Sequence, residues 1–271
     1  MHAVVLLKQI LDWELPPSTF RIDPETKRPP DGIGPTLLGP FEQNALELAL
    51  QLKDAGVVDR ITALLAGPAD GVDALRKALA LRCDEAVHVE VDADDAIDPS
   101  QTAELLLAGI RRLEPAELVL AGRQAGDWDH GQVGYLVAER LGRPAVGLVW
   151  RAEQRDDGRL LVSRSGNGVD EQLAVRPPAV LTVTSHPSLQ LRMGSVMDRM
   201  AANRKPITRW TLDELGLSRE QLDAARRVEF TEVWVPQVER HCELIEGEDP
   251  AEVTAALLGR LEELKLLTRP A

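Results

Sequence analysis

Gly122-Arg123-Gln124-Ala125-Gly126-Asp127-Trp128-Asp129-His130-Gly131-Gln132-Val133-Gly134 is the stretch that decides the fold. An apolar run, Leu118 to Ala121, precedes it and reads as a buried strand. Tyr135 to Leu141 follows and reads as a helix. A strand, a loop with four glycines and a helix start form a shape suited to an anion. Glycine lets main-chain N–H groups approach closely, and the first helical turn carries unpaired N–H groups at a positive dipole end. The Gly-x-Gly-x-x-Gly spacing of a dinucleotide fold is absent. By pattern alone, a nucleotide-binding loop and a plain strand-to-helix turn stand side by side.

Outward from this loop, short apolar runs alternate with helical patterns. Strands are expected at Ala3–Leu7, Arg60–Leu65, Ala86–Val91, Leu118–Ala121 and Ala145–Trp150. Helices are expected at Phe41–Asp54 and Asp73–Leu81, and from the Asp98-Pro99-Ser100-Gln101 cap to about Leu113. Lys8 to Pro40 reads as a polar, proline-rich loop. The alternation predicts an α/β, doubly wound, mostly parallel sheet with both faces covered and its ligand at the carboxyl ends of the strands.

After Trp150 the pattern changes. Turn signals at Asp156-Asp157-Gly158 and Gly166-Asn167-Gly168 predict a β-meander over about 150–178, returning to a buried strand at Ala179–Val183. Thr184 to Arg209 receives no assignment. Thr211 to Glu214 reads as a capping box, Val228 to Val235 as an extended stretch, and Asp249 to about Leu267 as an amphipathic helix. The reading is one nucleotide-binding domain over 1–210 and a C-terminal arm over 211–271.

Composition narrows the function. Of 271 residues, 44% are hydrophobic and 28% charged, which fits a globular chain; only 3% are aromatic, so Leu, Val, Ile and Ala must supply the core. A net charge of −13 disfavours nucleic acid. Cys83 and Cys242 read as separate thiols. The apolar run after Met1 is too short to span a membrane, so a cytoplasmic protein is expected. No Walker A, Gly-x-Ser-x-Gly elbow, HExxH or other catalytic arrangement stands out, so no independent enzyme activity and no metal are expected.

The loop resembles the signature of the electron-transfer flavoprotein beta-subunit family, which includes FixA. The usual form there is Gly-(Lys/Arg)-Gln-Ala-x-Asp-x-Asp-x-x-Gln-(Thr/Val)-Gly. Further segments resemble the family in the same order over about residues 3–210: Leu7-Lys8-Gln9-Ile10-Leu11-Asp12, Gly39-Pro40-Phe41-Glu42-Gln43-Asn44-Ala45, Ala66-Gly67-Pro68, and Ala74 to Ala86. Glycine at 39 replaces the usual Asn. The resemblance implies a fold of the adenine-nucleotide alpha-hydrolase-like type. It places Leu7, Lys8, Gly39, Ala66, Gly67, Gly122, Arg123 and Gln124 at a cofactor. Gly131, Gln132, Val133 and Gly134 would line its phosphate, with Asp127 and Asp129 beside the ribose or phosphate turn. A bare carboxylate beside phosphate is unfavourable, so Asp129 would cap the helix start and Asp127 would accept hydroxyl or loop N–H donors. Arg123 would neutralise phosphate or remain a solvated charge. Trp128 and His130 receive no role.

The resemblance also implies a recognition loop over about 188–206, with Arg192, Met193, Gly194, Ser195, Val196 and Met197 facing a partner dehydrogenase and Val196 as the apolar anchor. The alternative is that Met193, Met197 and Met200 are core contacts of a short helix. The implied function is an electron carrier: a heterodimer with an alpha subunit, FAD shared with that subunit, and AMP or a second FAD in this one. Electrons would pass from a dehydrogenase to a quinone oxidoreductase or similar acceptor. Val133, where AMP-holding members often have Thr, points towards a second FAD and a flavin-bifurcating or FixA-like type. The rival is a stand-alone universal-stress-type nucleotide-binding module without redox function.

Overall fold

The computed structural model describes residues 1–237 and 242–267. The parts of the expected arm at 238–241 and 268–271 lie outside the described residues. The chain divides into a unit from Met1 to Glu232 and a unit from Val233 to Ala271.

Eleven strands occur among the described residues: β1 (His2–Leu7), β2 (Gln9–Leu11), β3 (Thr36–Leu38), β4 (Arg60–Gly67), β5 (Glu85–Glu90), β6 (Leu118–Gly122), β7 (Ala145–Gln154), β8 (Leu160–Gly166), β9 (Val169–Val175), β10 (Ala179–Val183) and β11 (Thr208–Trp210). The helices are α1 (Pro40–Asp54), α2 (Val72–Ala80), α3 (Pro99–Arg112), α4 (Val133–Leu141), α5 (Val196–Ala202), α6 (Leu212–Leu215), α7 (Arg219–Ala225) and α8 (Pro250–Glu263). Nine strands form one sheet in the order β11-β5-β4-β1-β6-β10-β7-β8-β9. Pairings from β11 to β7 are parallel, and β7-β8-β9 are antiparallel. The expected doubly wound α/β sheet is therefore present.

Alternation along β1 explains the two layers. Ala3, Val5 and Leu7 face one core with α1 and α2; Val4 and Leu6 face the other with α3 and α4. On α1, Ala45, Leu48, Ala49 and Leu52 are fully buried, as their helical spacing requires. Burying each leucine is worth roughly 1.5–3 kcal/mol. From β1 the chain winds through β4 to β5 on one side; α3 then carries it back to β6 on the other side of β1. The winding thus reverses between β1 and β6, and a crevice opens beyond their carboxyl ends.

Several sequence expectations change. The Lys8–Pro40 loop contains an antiparallel ribbon, β2 with β3, in which Ile10 and Leu38 are buried. The strand expected to end at Trp150 continues to Gln154, because β7 pairs with β10 in its first half and with β8 in its second. The meander turns where expected: Asn167 and Gly168 both have positive φ, 53° and 77°, the two-residue turn that suits hairpin twist. The unassigned stretch 184–209 contributes α5 and edge strand β11, whose Trp210 is buried with the Arg112 guanidinium over its ring. Residues 228–235 form no strand.

In the second unit, α8 is capped by Asp249, whose side chain accepts from the Ala251 N–H, and ends at Glu263. No residue of α8 is buried; Leu257 and Leu258, and Leu264 just beyond its end, are exposed.

Candidate functional site

The crevice at the reversal of winding is a cleft. Leu6, Leu7 and Lys8 line it from β1 and its end, Ala66 from β4, and Ala121 and Gly122 from β6. The loop and helix after β6 close one side through Gln124, Ala125, His130, Gly131, Val133 and Gly134. The turn before α3 and its first turns supply an apolar wall of Ala96, Ile97, Pro99, Thr102 and Leu106. Glu42 of α1 completes the lining.

Of the residues singled out from sequence, Leu7, Lys8, Ala66, Gly122, Gln124, Gly131, Val133 and Gly134 therefore come together. Gly39, Gly67, Arg123, Asp127, Asp129 and Gln132 are not among the lining residues. Gly67 uses its carbonyl to accept from the Val91 N–H and to meet His88 Nε2. The Arg123 guanidinium lies over the Phe41 ring, 4.6 Å from its centroid, so it is not a freely solvated charge. Asp127 Oδ1 accepts from Lys8 Nζ at 2.7 Å and from the Trp128 N–H at 2.9 Å, so it takes a loop N–H as expected.

Asp129 does not cap α4. The helix begins at Val133, two residues earlier than read from sequence, and Gln132 stands at its N-cap without a side-chain hydrogen bond. Asp129 instead adopts a left-handed backbone (φ 53°) and accepts from Gln124 Nε2 at 2.6 Å. A consequence follows for the helix start. The N–H groups of Gly131, Gln132, Val133, Gly134 and Tyr135 donate to no acceptor among the described residues, whereas the Leu136 N–H reaches the Gln132 carbonyl. A row of free donors at the positive end of a helix, three of them on cleft-lining residues, is a cradle for an anion. The residues present thus fit a phosphate group.

Two glycines owe their place to packing. A Cβ at Gly134 would come within 2.7 Å of Thr182 Cγ2, so glycine lets α4 press onto the sheet. A Cβ at Gly122 would stand 2.9 Å from Phe41 Cβ and 3.0 Å from the Phe41 carbonyl carbon.

Glu42 and the α3 wall were missed in the sequence. Glu42 is buried (6% exposed), and burial pushes its carboxyl up to about 7, against the pull of its own backbone N–H and of Lys8; Asp127 adds to the rise. The folded state therefore holds a proton that the unfolded chain has already lost. Its contribution to stability is present in full below pH 4.5 and is lost as pH rises towards 7. The signal in the sequence was only a carboxylate three residues after Gly39 at a helix start, which ordinarily reads as a dipole partner. Trp128 stacks on Phe230, 4.6 Å between centroids, a contact that no local pattern announces.

The expected recognition segment divides. Arg192 is an anchor: its guanidinium bonds Glu47 at 2.9–3.3 Å and Asp54 at 2.7 Å, and these carboxylates, Glu47 first, raise its pKa against the desolvation that lowers it. Gly194 passes so close to the Ala80 carbonyl that a Cβ would stand 2.9 Å from it. Ser195 caps α5 in a reciprocal box with Asp198. Met193, Val196, Met197 and Met200 are exposed, Met193 at 95%, so the alternative of methionines as core contacts of a short helix does not hold. Replacing Arg192 by Ala is expected to cost about 1 kcal/mol, read from the urea midpoint. It strands the buried Glu47 carboxylate, but Gln51 still donates to it.

Cys83 is buried, its thiol pushed up to about 12 by burial, and Cys242 is exposed; both are free. Among the described residues no helix is long and apolar enough to cross a membrane.

Fold and cleft together define a doubly wound α/β protein with a row of free main-chain donors at the reversal of its strand order. Comparison with known proteins sharpens this class. Residues 34–215 match the electron transfer flavoprotein domain. The caffeyl-CoA reductase-Etf complex subunit CarD of Acetobacterium woodii is 32% identical over 98% of this chain and 100% of its own. The electron transfer flavoprotein subunit beta of Clostridium acetobutylicum is 34% identical over 82% of this chain and 83% of its own. The mitochondrial subunit beta of Arabidopsis thaliana is 30% identical over 87% and 90%. The chain belongs to the electron-transfer flavoprotein beta-subunit family, whose work is electron transfer. That membership displaces the universal-stress-type alternative.

Proposed function

We propose that this chain is the beta half of a heterodimer with an electron-transfer flavoprotein alpha subunit, and that its cleft holds an adenine nucleotide, AMP or a second FAD. The observation that carries the reading is the run of free N–H groups from Gly131 to Tyr135 beside Gly122 and Lys8. These donors would bind phosphate, Lys8 would supply a positive charge, and the apolar wall from Ala96 to Leu106 would cover the ligand's organic part. Gly39, Gly67, Arg123, Asp127, Asp129 and Gln132 would act from behind the lining, holding the loop and Lys8 in place. FAD, shared with the alpha subunit, supplies the one- and two-electron chemistry. This chain binds, orients and excludes water, which fits a protein without an independent catalytic centre.

The exposed Met193, Val196 and Met197, standing on an anchored Arg192 and a capped α5, suit docking to a dehydrogenase. A quinone oxidoreductase or similar acceptor would take the electrons on. The unburied apolar stripe of α8 suits contact with the alpha subunit. Val133 in place of Thr, and a full-length relative named as a subunit of a reductase-Etf complex, favour the second FAD and a bifurcating or FixA-like type in the cytoplasm.

The chain co-expressed with its companion polypeptide is expected to purify as a yellow complex. Denaturing extraction should release two FAD per pair with no AMP, or one FAD and one AMP. A colourless complex free of any adenylate refutes the proposal.

A further inference from the structure

Glu42 is an anomaly in a cleft built for an anion. Its carboxyl folds back over the N-terminus of α1, and Oε2 lies 2.0 Å from where a Cβ on Gly39 would stand. Gly39 has an ordinary extended backbone, φ −52° and ψ 147°, so glycine there is not required by strain; it makes room for the carboxyl. Oε2 is buried and has no hydrogen-bond partner, yet the residue lines the cleft. An ionised carboxylate in that position would repel a phosphate and would lack compensation for its lost hydration.

The groups around it compensate only in part: its own backbone N–H and Lys8 favour the charged form, but less than burial disfavours it. Lys8, at the end of β1, is committed to Asp127 at 2.7 Å. From the loop after β6, Asp127 adds negative charge, Arg123 is held over Phe41, and His130 lines the same cleft. On α1 itself Glu47 is tied to Arg192.

We propose that Glu42, buried at the wall of the cleft, receives the nucleotide as a neutral acid, so that binding takes one proton from solvent. The inference rests on the nucleotide reading of the cleft. A protonated carboxyl removes both the charge that would repel the phosphate and the cost of leaving a buried, unpartnered Oε2 ionised. An anion in the cleft raises the proton affinity of Glu42 further, so nucleotide and proton bind cooperatively. Affinity is then highest where Glu42 is already protonated in the free protein and falls as pH rises above about 7.

The test titrates the full-length chain, freed of nucleotide, with AMP and with FAD by calorimetry from pH 6.5 to 8.5. Buffers of different ionisation heat count the protons. At pH 8 the wild-type chain should take up close to one proton more than Glu42→Gln, a comparison that removes the titration of the AMP phosphate itself. Its Kd should rise about fivefold to tenfold between pH 7.5 and 8.5, while the Gln variant stays within about twofold. Proton counts on the wild-type chain with FAD, whose diphosphate does not titrate in this range, test the idea without any variant. Equal pH profiles for the two chains, no proton uptake with FAD, or tighter binding at high pH overturns the role of Glu42 and leaves the nucleotide site standing. Binding of neither probe at any pH overturns the nucleotide reading, and this inference with it.

Discussion

Replacing Asp98 by Ala should lower the unfolding free energy by about 3–4 kcal/mol at pH 7, a large share of the roughly 5–15 kcal/mol typical of a domain. Asp98 is 2% exposed and satisfies four main-chain donors. Oδ1 accepts from Ser100 and Gln101 at the start of α3, and Oδ2 from Arg227 and Val228. One carboxylate thus caps the helix that walls the cleft and fastens the segment leading to Phe230, which stacks on Trp128 of the signature loop. Truncation leaves all four donors short of an acceptor. Asp98→Asn, which keeps one good acceptor oxygen, should lose about half as much. Burial raises the Asp98 pKa, but the four N–H donors outweigh it and leave the group below the usual carboxylate range. The stabilisation is therefore present above pH 3.8 and is lost as pH falls through the folded value. Urea midpoints at pH 7 and in acid check both points: the gap between wild type and Asp98→Ala should be wide at pH 7 and narrow in acid. A gap independent of pH would show that the charge on Asp98 does not carry the effect.

Replacing Gly122 by Ala is expected to cost about 2–3 kcal/mol and to weaken nucleotide retention at least tenfold. The added methyl meets the Phe41 backbone at 3.0 Å and the Glu42 nitrogen at 3.1 Å, groups that cannot rotate away as a flexible side chain can. The start of α1 must move off the end of β6. That movement displaces Glu42, the Arg123–Phe41 stack and the mouth of the cleft together. Alanine at the exposed Gly158 turn, whose Cβ would meet nothing within 4 Å, should cost less, only the strain of φ 77°. Thermal unfolding and the nucleotide content of the purified complex distinguish the two sites. Wild-type retention in Gly122→Ala would remove the close approach of α1 to β6 from the account of the cleft.

Much of the architecture was legible because it follows from local rules. Alternating apolar runs and helical faces gave the strands of the parallel sheet, and the Asn167-Gly168 turn gave the outer hairpin, since period and turn chemistry act over a few residues. The short strands β2, β3 and β11 were invisible. Three residues carry no period, and each exists only because a partner strand stands beside it. The glycine loop pointed to the end of the sheet where the cleft lies. It did not show that Gly122 and Gly134 are glycines for the sake of α1 and Thr182, nor that Asp129 turns to Gln124 and leaves the helix start free for an anion.

The sequence by itself determined a doubly wound α/β chain, its glycine-rich strand-loop-helix, and family membership, because these reside in short-range periodicity and in one contiguous signature. Tertiary structure alone decided the electrostatics of the cleft. Glu42, Lys8, Asp127 and the α3 wall come from separate elements, and the charge state of a carboxyl depends on what surrounds it after folding. The same holds for Arg192: the chain spells a basic residue before an exposed loop, and packing makes it the clamp on buried Glu47.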